Sequence, residues 1–383
     1  MKRGIFSILF ALVLAVSLSL VTAVPVAALV AEVWVDDDFV EGIPGWGTTH
    51  FDKIQDGIDA VDPGGTVYVL AGTYHVAKYQ EIKIMDKSLT LLGAQADVPI
   101  VDGERAGDES IIRGEVNWRG DPLSWCVIRI KHSDVVVNGF TIEKGKRGIA
   151  IQGVGPDGIS NICVSYNYIQ NNGRYSSEAG IFRDNAAADV TIDHNYIASN
   201  PIGIATRGGA TTITDNTFYG NGKGVDFKHG DPTSMYFDDY DQPNYPSIIS
   251  GNTFTNDRTS IKLSLRGHQP IAITGNDITE ARTVAIETSG WGEDLVNPAI
   301  HYNNIWNNEF GINNQVAEIN LDAEKNWWGH ASGPSGDYGR VNPDGEVIGK
   351  GDAVSDNVDW DPWLPQPIKR TPHDPVPPGQ KKR

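Results

Sequence analysis

One short pattern returns eight times along the middle of the chain: an asparagine, any residue, then a large apolar residue. It opens at Asn138, Asn167, Asn195, Asn216, Asn252, Asn276, Asn303 and Asn326, in steps of 29, 28, 21, 36, 24, 27 and 23 residues. A period in the twenties marks a solenoid, in which each repeat is one coil that cannot bury its apolar face alone.

The residues around each asparagine say what kind of coil this is. An apolar residue stands three positions before it: Val135, Val164, Ile192, Ile213, Ile249, Ile273 or Ile300. A second run follows each polar stretch, at Ile149, Ile181, Ile204, Val225, Ile261, Ile286 and Ile312. Within these runs apolar and polar residues alternate: Val225 and Phe227 against Asp226 and Lys228, and Ile261, Leu263 and Leu265 against Lys262, Ser264 and Arg266. Period two means strand, with the apolar set pointing inward. No helical pattern of usable length separates the strands. The expected fold is therefore all-β, a single-stranded solenoid of the parallel β-helix type with about nine or ten coils spaced about 4.8 Å apart. Stacked asparagines at a bend bond to one another and to the bent backbone, so these residues read as structural.

Three further segments carry a family resemblance. Residues 51–60 with 63–74 look like the opening of a right-handed parallel β-helix domain, and residues 87–93 like its first full coil. Asn326, Trp327, Trp328 and Gly329, followed by Gly333 and Pro334, look like its closing segment. The chain thus resembles the pectate-lyase-like superfamily of right-handed parallel β-helices over roughly residues 33–363. That superfamily includes lyases, glycoside hydrolases, epimerases, copper-site maturation proteins and surface proteins without known chemistry, so fold does not choose the activity.

Residues 1–28 read as a secretory signal: Lys2 and Arg3, an apolar run over 5–21, and small residues at 26–28. No second long apolar run follows, so no membrane span is expected after cleavage. Phe51, Ile54, Ile58 and Val61 fall at helical spacing, with Thr49 as an N-cap. A helix over 50–61 would cover the open first coil. Trp327, Trp328, Trp360 and Trp363 would close the other end, and residues 364–383 form a Pro-rich, basic tail or linker. The net charge of −18 becomes −20 without Lys2 and Arg3, which removes nucleic acid as a partner. A secreted or cell-surface monomer meeting a polysaccharide or surface glycan is the expectation. Only Cys126 and Cys163 are present. Cys126 shares parity with inward Ile128, whereas Cys163 faces out, so no disulfide between them is expected.

Aligning the second runs brings outward side chains of neighbouring coils into rows. One row reads Phe182, Ala205, Asp226, Lys262, Glu287, and the next Asp184, Arg207, Lys228, Ser264, Ser289. Arg207, Asp226, Lys228, Lys262 and Glu287 would form one charged patch with His229 at its margin. An ordinary ladder of exposed ion pairs, each contributing about 0–1 kcal/mol, is the competing reading. The longest step, 36 residues, places an oversized loop after this patch. That loop holds Tyr236, Tyr240, Asp238, Asp239 and Asp241. Long loops on rigid scaffolds carry binding. Clustered carboxylates suit Ca²⁺, a hard ion wanting six to eight oxygens, and aromatics suit sugar rings. Residues 102–125 offer a second groove wall or an insertion, and His194 and His301 stand isolated, tied to no metal site.

Two function classes follow. The first is an enzyme on extracellular polysaccharide. In similar lyases an Arg or Lys removes the proton α to a uronate carboxylate and Ca²⁺ stabilises the enolate, which here implies Lys262 or Arg207 as base and the acidic loop as ion site. The lyase signature motif is absent around these residues. Hydrolysis would need Asp226 and Glu287 as an inverting pair, with Lys262 between them quenching both. Lys228, His229, Tyr236 and Tyr240 would bind substrate. The second class is a non-catalytic surface, structural or adhesion module.

Overall fold

The computed structural model describes residues 30–153, 158–184, 187, 189–207, 210–228, 246–265, 270–290, 295–336 and 349–369. The signal-like segment and most of the tail lie outside the described residues. Among the described residues no helix is long and apolar enough to cross a membrane.

The body is a parallel β-helix built from three long sheets. Each coil visits them in turn. Ile162–Ser165 lies in the first sheet, Tyr168–Gln170 in the second and Ala179–Arg183 in the third. The chain then returns to the first sheet at Val190–Asp193, which pairs parallel with Ile162–Ser165. The period-two reading sets the core: Ile149, Ile181, Ile204, Val225, Ile261, Ile286 and Ile312 stack in register. All seven are fully buried. In the second sheet Phe218 lies flat on Phe254, with ring centroids 4.4 Å apart and planes 6° off parallel.

The recurring asparagines sit at the bend between the first and second sheets. The residue before each one turns left-handed at Tyr166, His194, Asp215, Gly251, Gly275, Tyr302 and Lys325, whereas at Asn138 it is the following Gly139 that does so. A left-handed turn two residues long leaves carbonyls facing inward with no strand partner, and the asparagine amide satisfies them. Asn252 shows one rung. Its Nδ2 donates to Ile213 O (2.9 Å), Ser250 O (3.0 Å) and Asn276 Oδ1 (3.0 Å). Its Oδ1 accepts from the Asn216 backbone N–H (2.9 Å) and Asn216 Nδ2 (3.1 Å). A second ladder, absent from the sequence expectation, runs up the next bend, between the second and third sheets. There Asn172, Asn200 and Asn221 hand hydrogen bonds from coil to coil, Asp257 receives the pair from Asn221, and the ladder resumes at Asn308, which donates a further pair to Asp352.

The N-terminal cap is shorter than the spacing suggests. The helix is Ile54–Ala60, its N-cap is Lys53 without a side-chain bond, and Phe51 belongs to the two-residue strand His50–Phe51. Thr49 instead pairs its hydroxyl with His50 Nδ1 (2.9 Å). Ile54 and Ile58 are buried, as their spacing requires. At the far end Trp328 is fully buried, while Trp360 packs on Trp363 and Trp327 on Trp306.

Cys126 departs from its expected parity. It is buried, but it packs with Ala150, Ala179, Phe182 and Ile202 on the outer side of the third sheet. The bend before Ile128 breaks the two-residue alternation, so counting back from that strand puts the thiol on the wrong side. Both cysteines are free. Arg183 is the converse case. Its register partners Thr206, Phe227 and Leu263 face the interior, and its guanidinium is fully buried. It donates to Ala187 O and Arg207 O, and burial brings its pKa down to about 9.

Candidate functional site

The outer face of the third sheet carries the charged rows in the expected register. Asp226 pairs across to Lys262, Lys262 to Glu287, and Arg207 to Lys228. The strands that present them are Ile202–Arg207, Lys223–Lys228, Thr259–Ser264 and Val284–Ser289. Apolar residues at alternate positions anchor each strand inward and force these polar ones out.

A groove of about 310 Å³ opens on this face, lined by Ser176, Ser177, Phe182, Ala205, Arg207, Lys223, Asp226 and Lys228 among others. Phe182 and Ala205 form its apolar floor, and three cations surround one carboxylate. Asp226 is only 2 % exposed. It accepts from Lys223 Nζ at 2.7 Å, with Lys228 Nζ at 3.9 Å, while its Oδ1 has no hydrogen-bond partner among the described residues. The Arg207 guanidinium lies over the Phe182 ring, 5.2 Å from its centroid. Lys262 and Glu287 are brought together as an ion pair beyond the groove lining.

The cationic surface continues toward the N-terminus. Arg147 sits 4.3 Å from the centre of the Phe182 ring and 4.1 Å from that of Trp125, and Arg129 covers Trp125 at 4.2 Å. Guanidinium groups and aromatic rings therefore alternate over successive coils, an arrangement favoured by the ring quadrupole. Burial, and then Arg207, hold the Arg147 pKa below its ordinary value. Glu81 binds Arg129 at 2.5 Å, and its carboxyl pKa falls despite burial because that guanidinium donates to it. Beside them the Cys126 thiol is pushed up to about 12 by burial and then Glu81, so it stays protonated and unreactive.

Sequence alignment of the strands found Arg207, Asp226 and Lys228 but missed Lys223, Arg147 and Trp125. Lys223 and Arg147 stand two residues before inward Val225 and Ile149, at the first positions of the strands Lys223–Lys228 and Arg147–Ile151, so alternation alone would point them inward. Trp125 belongs to the segment 102–125, which the structure divides. Ser110–Gly114 is a full strand of the second sheet. Arg105 ties the preceding loop down by binding Glu109 and Tyr166 O. His229, Tyr236, Tyr240, Asp238, Asp239, Asp241 and Arg266 lie outside the described residues.

His194 is not isolated. Its Nδ1 lies 2.7 Å from Asp193 Oδ2, its ring stacks on Tyr166 at 4.9 Å, and ligand-type atoms of Asp193, His194 and Asp215 lie within 4.8 Å of one another. The hydrogen bond to Asp193 raises the imidazole pKa. His301 likewise contacts Asp322 at 2.5 Å.

Residues 126–305 match the family described as "Right handed beta helix region". The chain is a right-handed parallel β-helix protein. No curated protein sequence matches it. Among solved structures it is similar to the alginate lyase from Paenibacillus sp. str. FPU-7 (14 % identity, 68 % of this chain and 94 % of that one, TM-score 0.42). It is also similar to pectate lyase Pel9A (10 %, 87 % and 79 %, 0.44). A third similar structure is the A-module of the Azotobacter vinelandii mannuronan C-5 epimerase AlgE4 (16 %, 88 % and 98 %, 0.40).

Proposed function

We propose that the protein binds an acidic extracellular polysaccharide along the outer face of the third sheet and cleaves it by β-elimination in the groove. One observation carries this reading. A chain with net charge −18 gathers Arg147, Arg207, Lys223 and Lys228 on one concave strip with an aromatic and apolar floor. Such a strip concentrates a polyanion that the rest of the surface repels. In a uronate chain Arg207, planar and permanently charged, suits the carboxylate. Among the lysines, Lys223 is held by Asp226 and Lys262 by Glu287, whereas Lys228 is 57 % exposed and, among the described residues, pairs with a carboxylate only at 3.9 Å, that of Asp226. Lys228 is the group to take the proton α to the carboxylate as the glycosidic oxygen at the β position leaves. The signal-like residues 1–28 support an extracellular setting. Ca²⁺ binding by Asp238, Asp239 and Asp241 belongs to the same reading.

The two tight lysine–carboxylate pairs favour a second reading, a binding module without turnover. The experiment is a comparison of polyuronate and neutral glycans on the wild type, Arg207→Ala and Lys228→Ala. It follows binding by calorimetry and unsaturated products by ultraviolet absorbance. Binding of acidic chains only, weakened at least tenfold by Arg207→Ala, with product absorbance lost in Lys228→Ala, is expected. Binding without product selects the module reading. Equal affinity for neutral chains, unmoved by Arg207→Ala, overturns both.

A further inference from the structure

The second ladder changes from amide to carboxyl at Asp257, and again at Asp352, which accepts from Asn308 N (3.0 Å) and Asn308 Nδ2 (2.7 Å). In Asn172 and Asn200 the amide Nδ2 donates to two carbonyls, that of the residue two before it and one on the preceding coil. Asn221 donates in the same way to Ile197 O (2.9 Å). The next rung is Asp257. Its Oδ1 accepts from Asn221 N (2.7 Å) and Asn221 Nδ2 (3.0 Å), as an asparagine oxygen would. Its Oδ2 stands where an amide nitrogen would stand. By register, the carbonyls facing that position are those of Thr255 and Phe218, since Phe218 pairs with Ile197. Asp257 is fully buried, and among the described residues no donor reaches Oδ2.

A carboxylate there sets negative oxygen against carbonyl oxygen in a dry site. A neutral acid, with its proton on Oδ2, donates to one of those carbonyls and completes the rung. The charged and titratable groups that bear on Asp257 among the described residues are Arg282 on the following coil and Tyr196 on an earlier one. Arg282 reaches only Asn221 O, at 3.4 Å. Burial outweighs these neighbours and raises the Asp257 pKa to about 7.

The rung is coupled to the groove. Asn221, its donor, lies two residues before Lys223. Gly224 packs so close that a Cβ there would sit 3.0 Å from Asp257 Oδ2. Lys223 in turn holds Asp226. We propose that Asp257 is a proton-operated positioning residue: as the neutral acid it locks the corner over residues 221–224, and on ionising it loosens that corner and with it Lys223 and Asp226. The effect on ligand rests on the groove reading above, whereas the lock itself does not.

The sign follows from linkage. Opening the corner returns Asp257 from about 7 to an ordinary 3.8, so the open form binds its proton less tightly. The opening constant then rises about tenfold per pH unit between those two values and is flat above them. The test is amide hydrogen exchange at Asn221 and Lys223, corrected for intrinsic rates, in the wild type and Asp257→Asn. The Asn variant copies the asparagine rungs. The wild type is expected to lose protection across that window by a hundredfold or more, and Asp257→Asn to show none of that loss. Infrared spectra at pH 5 should show a carboxylic-acid carbonyl band that Asp257→Asn lacks. Identical pH profiles in the two proteins, or absence of the band from the wild type, overturns the proposal. Polyuronate binding measured on the same samples separates the two readings. Exchange that differs between the proteins while neither binds polyuronate leaves the lock standing and removes the groove's function.

Discussion

Replacing Asn252 with Ala tests how much one rung of the first ladder contributes. The substitution deletes five hydrogen bonds, two accepted from Asn216 and three donated to Ile213 O, Ser250 O and Asn276 Oδ1. The losses are unequal. The backbone N–H of Asn216 has its partner on this rung and becomes an orphaned buried donor, at a cost of about 1–3 kcal/mol. The Asn216 amide keeps its bonds to Ile192 O and Thr214 O, so its loss is nearer an ordinary bond. The carbonyls lose one of two lone-pair partners, at about 0.5–1 kcal/mol each. Together these give roughly 3–7 kcal/mol, before any cavity. Equilibrium unfolding in urea, followed by far-ultraviolet circular dichroism, reads the midpoint, and amide exchange at Asn216 localises the effect. A loss below about 1 kcal/mol, at an unchanged slope, would refute the view that the rungs hold the bend. Asn252→Asp sharpens the test because it keeps the acceptor and replaces the donor. Its folded pKa must rise, so the variant should be most stable in acid and lose stability as pH climbs through that raised value.

Two other outcomes are expected. Arg183→Ala should cost about 3 kcal/mol or more, whereas Arg183→Met should stay within about 1–2 kcal/mol of the wild type, because a buried cation held mainly by backbone carbonyls is replaceable by apolar volume; thermal unfolding compares the two. Native labelling with a thiol reagent at pH 8 should leave Cys126 unmodified and the intact mass without a disulfide, and denaturation should expose two thiols, since burial holds that thiol near 12.

The fold is legible in the chain because its two signals are local. The asparagine spacing counts coils, and alternation such as Val225, Asp226, Phe227, Lys228 assigns faces without knowledge of any partner. The same rule fails wherever the chain bends tightly. Cys126 lies beyond such a bend and faces outward. Lys223 and Arg147 break the rule at the starts of their strands: Lys223 lines the groove and Arg147 covers Trp125 and Phe182 beside it. Arg183 fails for another reason: alternation places it inward, but a charged residue is not expected there, and only the loop carbonyls it binds explain it. The second ladder escaped notice because its spacing from the first varies little. Asn172, Asn200 and Asn221 each follow an Asn of the first ladder by five residues, so they blend into a generally asparagine-rich stretch.

The bends also decide where this molecule is free to change. Between the first and second sheets two residues connect the strands on coil after coil, as from Asp193 to Tyr196, Thr214 to Thr217, Ser250 to Thr253 and Thr274 to Asp277. A ladder passes through that corner, and an added residue there would throw the next amide out of reach of its neighbour. Between the third and first sheets no ladder runs among the described residues, and the connection spans three residues from Arg207 to Thr211 but eighteen from Lys228 to Ser247. Inheritance can therefore lengthen or trim this chain along one seam without disturbing the stack. That seam borders the strand ends carrying Arg207 and Lys228, so new specificity can be written there while the rungs keep time.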